Sequence, residues 1–167
     1  LRSQCAIARD EPRRLLRSVN QLFYENTTDN TYATLFFAQY DDLNQRMRYI
    51  NCGHHPALVL RRDESVVRLE STCTVLGLFN EWDCQVRECA LGAGDLLAIY
   101  TDGVTEASAA GEEFGEQRLV EVLQSRRELP VGDLLAAAVD EVRRFSPAEQ
   151  ADDITLVIAR CHREEQD

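Results

Sequence analysis

An α+β fold built on antiparallel sheet is expected from three features of this 167-residue sequence. Short apolar and β-branched runs recur between residues 32 and 101, joined by tight polar turns. Segments with helical periodicity are grouped before and after those runs. The composition, 44% hydrophobic and 28% charged, is that of an ordinary globular chain. A chain of this length buries about 70% of its unfolded surface, enough for a core that needs no covalent staples.

Residues 1–8 read as the end of a helix that begins earlier. Asp10 then caps a new helix, with Pro12 in its first turn and Leu15, Leu16, Val19, Leu22 and Phe23 at helical spacing. The run 32–40 is aromatic and β-branched at consecutive positions, which predicts a strand buried on both faces. The polar turn 41–44 leads into a second strand, Arg46–Cys52. Further strands are expected at 57–61, 66–70, 84–91 and 96–101, with turn residues at Asp63-Glu64-Ser65 and Gly92-Ala93-Gly94-Asp95. Two helices follow, 116–127 and Val131–Phe145, the second with one apolar stripe through Leu134, Ala138 and Val142. A last strand, 154–160, closes the pattern. One domain, 1–162, is expected, with the charged 163–167 as a frayed tail.

Charge and composition exclude several functions. There are 29 acidic and 18 basic residues, a net charge of −11, which repels polyphosphate and argues against nucleic-acid binding. Every basic residue is arginine, so Schiff-base, phosphate-loop and kinase lysines are all absent. The richest apolar stretch, 134–139, is far short of the ~20 residues of a membrane span. No signal-peptide pattern opens the sequence, and a cytoplasmic location is expected. The only methionine is Met47, so the chain is expected to be part of a longer one. Six cysteines, at 5, 52, 73, 84, 89 and 161, form no CxxC motif. A zinc site would have to combine Cys52, His54 and His55 with Cys161 and His162; scattered, mostly half-buried thiols are the favoured reading.

Two strand ends carry acids. The strand ending Tyr100-Thr-Asp-Gly103 finishes on Asp102, with Gly103 expected to permit a sharp turn. Asp152 and Asp153 stand just before the strand 154–160. If these strands are neighbours, their carboxylates meet at one sheet edge, as hard oxygen ligands suited to Mg²⁺ or Mn²⁺. Aspartates also terminate strands and open turns without binding anything. The segment Asn51-Cys-Gly-His-His-Pro56 offers a histidine base, or a tight loop in which His54 satisfies local backbone groups; the loop is favoured.

An ordered set of motifs resembles one family. These are Thr34-Leu-Phe-Phe, Asn51-x-Gly-His54-x-Pro56, Leu76-Gly77-Leu78, Gly94-Asp95, Tyr100-Thr-Asp-Gly-Val-Thr-Glu106, Glu113-Phe-Gly115 and Asp152-Asp-Ile-Thr155. They are similar to the stage II sporulation protein E family of bacterial serine phosphatases, relatives of metal-dependent type 2C protein phosphatases.

That resemblance implies an αββα sandwich of two mostly antiparallel sheets between helical layers. Asp102 and Asp152 fall at positions that ligate metal in the family, with Asp153 a neighbouring candidate. Two ions, Mn²⁺ or Mg²⁺, would serve the complete domain, and a metal-bridging water would attack phosphoserine or phosphothreonine. The substrate implied is a phosphorylated anti-sigma-factor antagonist, with a sensor or receiver domain preceding the phosphatase in the same polypeptide. The family's earlier metal-binding turn and first strands are expected to lie before residue 1. Their absence would leave an unpaired edge that favours a homodimer. Two alternatives stand beside this reading: a catalytically silent module of the same fold acting in regulation or dimerisation, and a hydrolase of small phosphate esters.

Overall fold

Pro12 opens the first helix because it supplies a preset φ and needs no amide donor in the first turn. The computed structural model describes residues 11–28, 31–147 and 153–162. Asp10, the expected cap, lies outside these residues, as do 1–8 and 163–167; Glu11 takes the N-cap position without a side-chain bond. In chain order the elements begin with α1 (Pro12–Asn26), β1 (Leu35–Asp41), β2 (Arg46–Cys52), β3 (Ala57–Leu60), β4 (Val66–Leu69), β5 (Arg87–Ala90) and β6 (Leu96–Tyr100). They continue with α2 (Asp102–Thr105), β7 (Ser108–Ala109), β8 (Glu112–Glu113), α3 (Gly115–Ser125), α4 (Val131–Phe145) and β9 (Leu156–Arg160). The fold is α+β and every strand ladder is antiparallel, as expected. Among the described residues no helix is long and apolar enough to cross a membrane.

The elements group into two compact units. The first takes the described residues up to Pro56 together with 70–91. Its sheet has the order β1-β2-β5, with Leu35 opposite Cys52 and Met47 opposite Cys89. Leu15 and Leu16 of α1 pack with Ile50, Cys52, Leu76 and Cys84, flanked by Val19, Leu35, Phe37 and Trp82. Each leucine so buried stabilises the fold by roughly 1.5–3 kcal/mol. One polar side chain shares this burial. Asn20, 2% exposed, donates to the carbonyl of Phe79 (3.0 Å) and accepts the amide of Gly77 (2.8 Å). Gly77 has φ +85°, and a Cβ there would stand 2.2 Å from the Phe23 ring, so only glycine fits this turn.

The expectation of a strand buried on both faces at 32–40 is corrected. Among the described residues β1 is an edge strand, paired only with β2, and Tyr40 within it is 43% exposed, with Tyr32 before it at 60%. The expected strand 84–91 is also shorter, because only Arg87–Ala90 finds partners on β2.

The second unit takes 57–69 and the described residues from Gly92 onward. Its sheet has the order β4-β3-β6-β9. Alternate residues Leu58 and Leu60 of β3, and Leu96, Ala98 and Tyr100 of β6, pack against Val104, Phe114, Leu119, Leu123, Leu134, Ala138 and Val142. The turn before β6 is locked by Asp95. Its buried carboxylate accepts the Gly92 amide (2.8 Å) and pairs with Arg61 (2.5 Å). Gly94-Asp95 is therefore a structural turn here.

Candidate functional site

The site is assembled where β6 meets β9. These strands are antiparallel neighbours, with Leu96 opposite Arg160 and Tyr100 opposite Leu156. Beyond Tyr100 the pairing passes to Thr101. Its amide donates to the carbonyl of Thr155 (3.1 Å), while its hydroxyl donates to the carbonyl of Asp153 (3.1 Å) and accepts the Thr155 amide (3.0 Å). One threonine thus fixes the approach to β9 against the end of β6.

Asp102 follows directly, in the first turn of α2, which spans only Asp102–Thr105. Its Oδ1 accepts the Gly103 amide (3.0 Å), and its carbonyl accepts the Glu106 amide (2.7 Å). Gly103 lies inside this helical turn and is buried; the sharp change of direction falls at Thr101, which is extended. The Asp102 carboxylate is half-buried and, among the described residues, no arginine pairs with it. Asp83 and Asp95, by contrast, are held by arginines. Asp153 is exposed at the entry to β9. Asp152 lies outside the described residues. Asp102 and Asp153 therefore stand at the ends of neighbouring strands, linked through Thr101, which bonds the Asp153 carbonyl and the backbone of Thr155.

The donor chemistry suits a hard divalent cation: carboxylate oxygens and, among the described residues, no arginine competing for Asp102. Among the described residues, however, no group of three or more His, Cys, Asp or Glu side chains is placed to hold a metal, zinc included.

The second expected locus is a locked loop. Asn51 is fully buried and its Oδ1 accepts the His54 amide (2.8 Å). Its carbonyl takes the amides of Thr72 (2.8 Å) and Cys73 (3.3 Å). The His54 Nδ1 lies 2.9 Å from the carbonyl of His55, so the ring serves local backbone. The thiols are more buried than expected: Cys52, Cys84 and Cys89 lie in the core, and Cys73 and Cys161 are half-buried.

Sequence reading missed Thr101, whose role exists only once residues 52 and 54 positions apart are paired. It also missed Glu116, which accepts the Tyr100 hydroxyl (2.9 Å) and Arg68 (2.5 Å). The signal for Thr101 was its place inside the Tyr-Thr-Asp-Gly block, beside the acid.

Comparison with known proteins follows the same lines. The model of the family described as Stage II sporulation protein E (SpoIIE) matches residues 2–162. Protein IcfG of Synechocystis sp. is 33% identical over 127 residues, covering 75% of this chain and 20% of IcfG. Phosphoserine phosphatase RsbU of Bacillus subtilis is 23% identical over 150 residues, covering 89% of this chain and 45% of RsbU. The chain thus spans less than half the length of either relative. Among solved structures, the SiaA-PP2C domain of Pseudomonas aeruginosa matches with a TM-score of 0.79 at 19% identity, over 95% of this chain and 66% of that one. The catalytic domain of the serine/threonine phosphatase PstP, in complex with two manganese ions, matches with a TM-score of 0.70 at 15% identity, over 96% of this chain and 78% of that one. With the PP2C fold in common with these structures, and its motifs matched almost from end to end, the chain belongs to the stage II sporulation protein E (SpoIIE) family.

Proposed function

We propose that this chain is the phosphatase part of a metal-dependent protein serine/threonine phosphatase. Its substrate in this reading is a regulatory phosphoprotein such as an anti-sigma-factor antagonist. The observation that carries the proposal is the Thr101 clamp, which holds Asp102 and the Asp153 backbone at one strand end. Membership of the SpoIIE family supports it, as do the phosphoserine phosphatase named among the relatives and the two manganese ions in a protein of the same fold. Residues 1–162 form the domain in this reading, 163–167 are a tail, and a sensor or receiver domain precedes it.

Asp102 is the metal ligand on β6's end, with Asp152 and Asp153 as donors from the approach to β9. Mn²⁺ or Mg²⁺, when bound, supplies a water of lowered pKa and countercharge for phosphoryl oxygens. The residues themselves do three things. The Gly103 amide orients the Asp102 carboxylate, and Thr101 fixes the spacing of the two strand ends. Among the described residues no arginine pairs with Asp102, which leaves its carboxylate uncommitted to an ion pair with them.

The test is Mn²⁺-dependent release of phosphate from a phosphoserine-bearing protein by the full-length polypeptide. The proposal expects release that is lost in Asp102→Asn. A full-length protein without turnover, yet still binding its partner, would make the chain a silent module of the fold. Equal turnover of small phosphate esters would remove the protein-substrate assignment.

A further inference from the structure

The cluster under α1 in the first unit holds three thiols that phosphate chemistry does not use. Cys52 ends β2 and is fully buried, Cys84 is 3% exposed, and Cys73 is half-buried with access to solvent. The backbones of Cys52 and Cys73 form an isolated parallel bridge. Bridged strands lie about 4.8 Å apart, within the Cα separation that a disulfide spans. The two sulfurs are 3.5 Å apart. The amides of Thr72 and Cys73 both donate to the Asn51 carbonyl, which holds the segment carrying Cys73 against the end of β2.

We propose that Cys73 and Cys52 are an oxidation-dependent disulfide pair, with Cys73 oxidised first by a hydroperoxide and Cys52 resolving it. Closing the sulfurs to the ~2.05 Å of a disulfide requires side-chain movement of about 1.5 Å, shared between two residues whose backbones are already joined. The surroundings assign the order of reaction. Side-chain hydrogen bonding with Cys52, then with Cys84 and the Thr72 hydroxyl, holds the Cys73 thiol below its ordinary pKa. Cys52 and Cys84 are pushed up by facing that charge and by burial. Cys73 is also the member of the three that a small oxidant reaches.

The chemistry balances as follows. The Cys73 thiolate attacks one oxygen of the hydroperoxide, the O–O bond breaks, and the departing oxygen takes a proton and leaves as water or alcohol. Cys52 sulfur then attacks the Cys73 sulfenic acid and the S–O bond breaks. The hydroxyl leaves as water with the Cys52 proton, and the two sulfurs together have lost two electrons to the peroxide.

Hydrogen peroxide is the probe, applied to the native chain, with remaining thiols blocked before tryptic digestion. Cleavage after Arg48 and Arg61 puts Cys52 in peptide 49–61; cleavage after Arg68 and Arg87 puts Cys73 and Cys84 together in 69–87. The expected product is a cross-link between these peptides, located at Cys73 by fragmentation, reversed by dithiothreitol and lost in Cys73→Ser. In Cys52→Ala the Cys73 sulfenic acid should persist and be trapped by dimedone, which keeps the test open should the serine variant misfold. A loop within 69–87, cross-linking only in urea, or oxidation of Cys161 ahead of Cys73 would each overturn the proposal.

Discussion

Replacing Thr101 by valine removes one hydroxyl and nothing else of comparable size, which isolates the clamp between β6 and β9. Two hydrogen bonds are lost, to the Asp153 carbonyl and from the Thr155 amide, while the Thr101 amide keeps its bond to the Thr155 carbonyl. A hydrogen bond contributes a net ~0.5–1.5 kcal/mol, and the penalty is larger only where the orphaned groups stay dry. Thr155 and Asp153 are exposed, so water replaces the hydroxyl and the low end of that range applies. The expected loss is about 1 kcal/mol, or about 2–4 °C in melting temperature for a chain of this size. Loss of activity should be larger than loss of stability, since a misplacement of ~1 Å at a reacting centre costs about a hundredfold. Circular dichroism during thermal unfolding reads the first quantity, and Mn²⁺-dependent phosphate release by the full-length protein reads the second. Thr101→Ser keeps the hydroxyl and should restore both. A valine variant with full activity, or a serine variant as impaired as valine, would refute the reasoning.

Four further outcomes are expected. Asp102→Asn keeps an oxygen for the Gly103 amide, so unfolding should change little while Mn²⁺-dependent activity falls about 100-fold or more, equivalent to about 2.7 kcal/mol of barrier. Asp153→Asn should be milder, and side-by-side kinetics of the two variants checks the ranking. Gly77→Ala combines a positive φ with a clash against Phe23 and should lose roughly 3 kcal/mol in urea unfolding. The side-chain hydrogen bond from Arg13, aided by Arg17, holds the Asp83 carboxyl well below the usual carboxylate range. Its small contribution is therefore present above that range and fades as the pH falls through and below it, and helicity of the native chain followed by acid titration should lose that component in Asp83→Asn.

Elements with a strict period were legible before any coordinates. Val131–Phe145 has the expected bounds because its apolar positions repeat without interruption, and Arg46–Cys52 has them because a polar turn and a glycine flank it. The composition of β1 misled, because aromatic and β-branched residues report affinity for sheet and not the number of neighbours a strand acquires. The turn Asp102–Thr105 and the β7–β8 hairpin are too short to have a period at all. At the site, Asp102 was legible as an acid on an apolar strand's end. What ties it to the approach to β9 was not, since the ties are a hydroxyl and backbone groups more than fifty residues away. Asp153 was chosen for its carboxylate, yet its carbonyl is the atom the structure fastens.

The pairing of Asn20 with the 76–79 turn has a mechanical consequence. A side-chain amide that both donates and accepts along one short loop acts as a key in a slot. Sliding α1 by a single residue would carry Asn20 about 1.5 Å along the axis and about 100° around it. Neither bond survives such a step, and Asn20, 2% exposed, would be left with an unsatisfied buried amide. α1 and the 76–79 turn are therefore held in one register by a single side chain, at both Gly77 and Phe79.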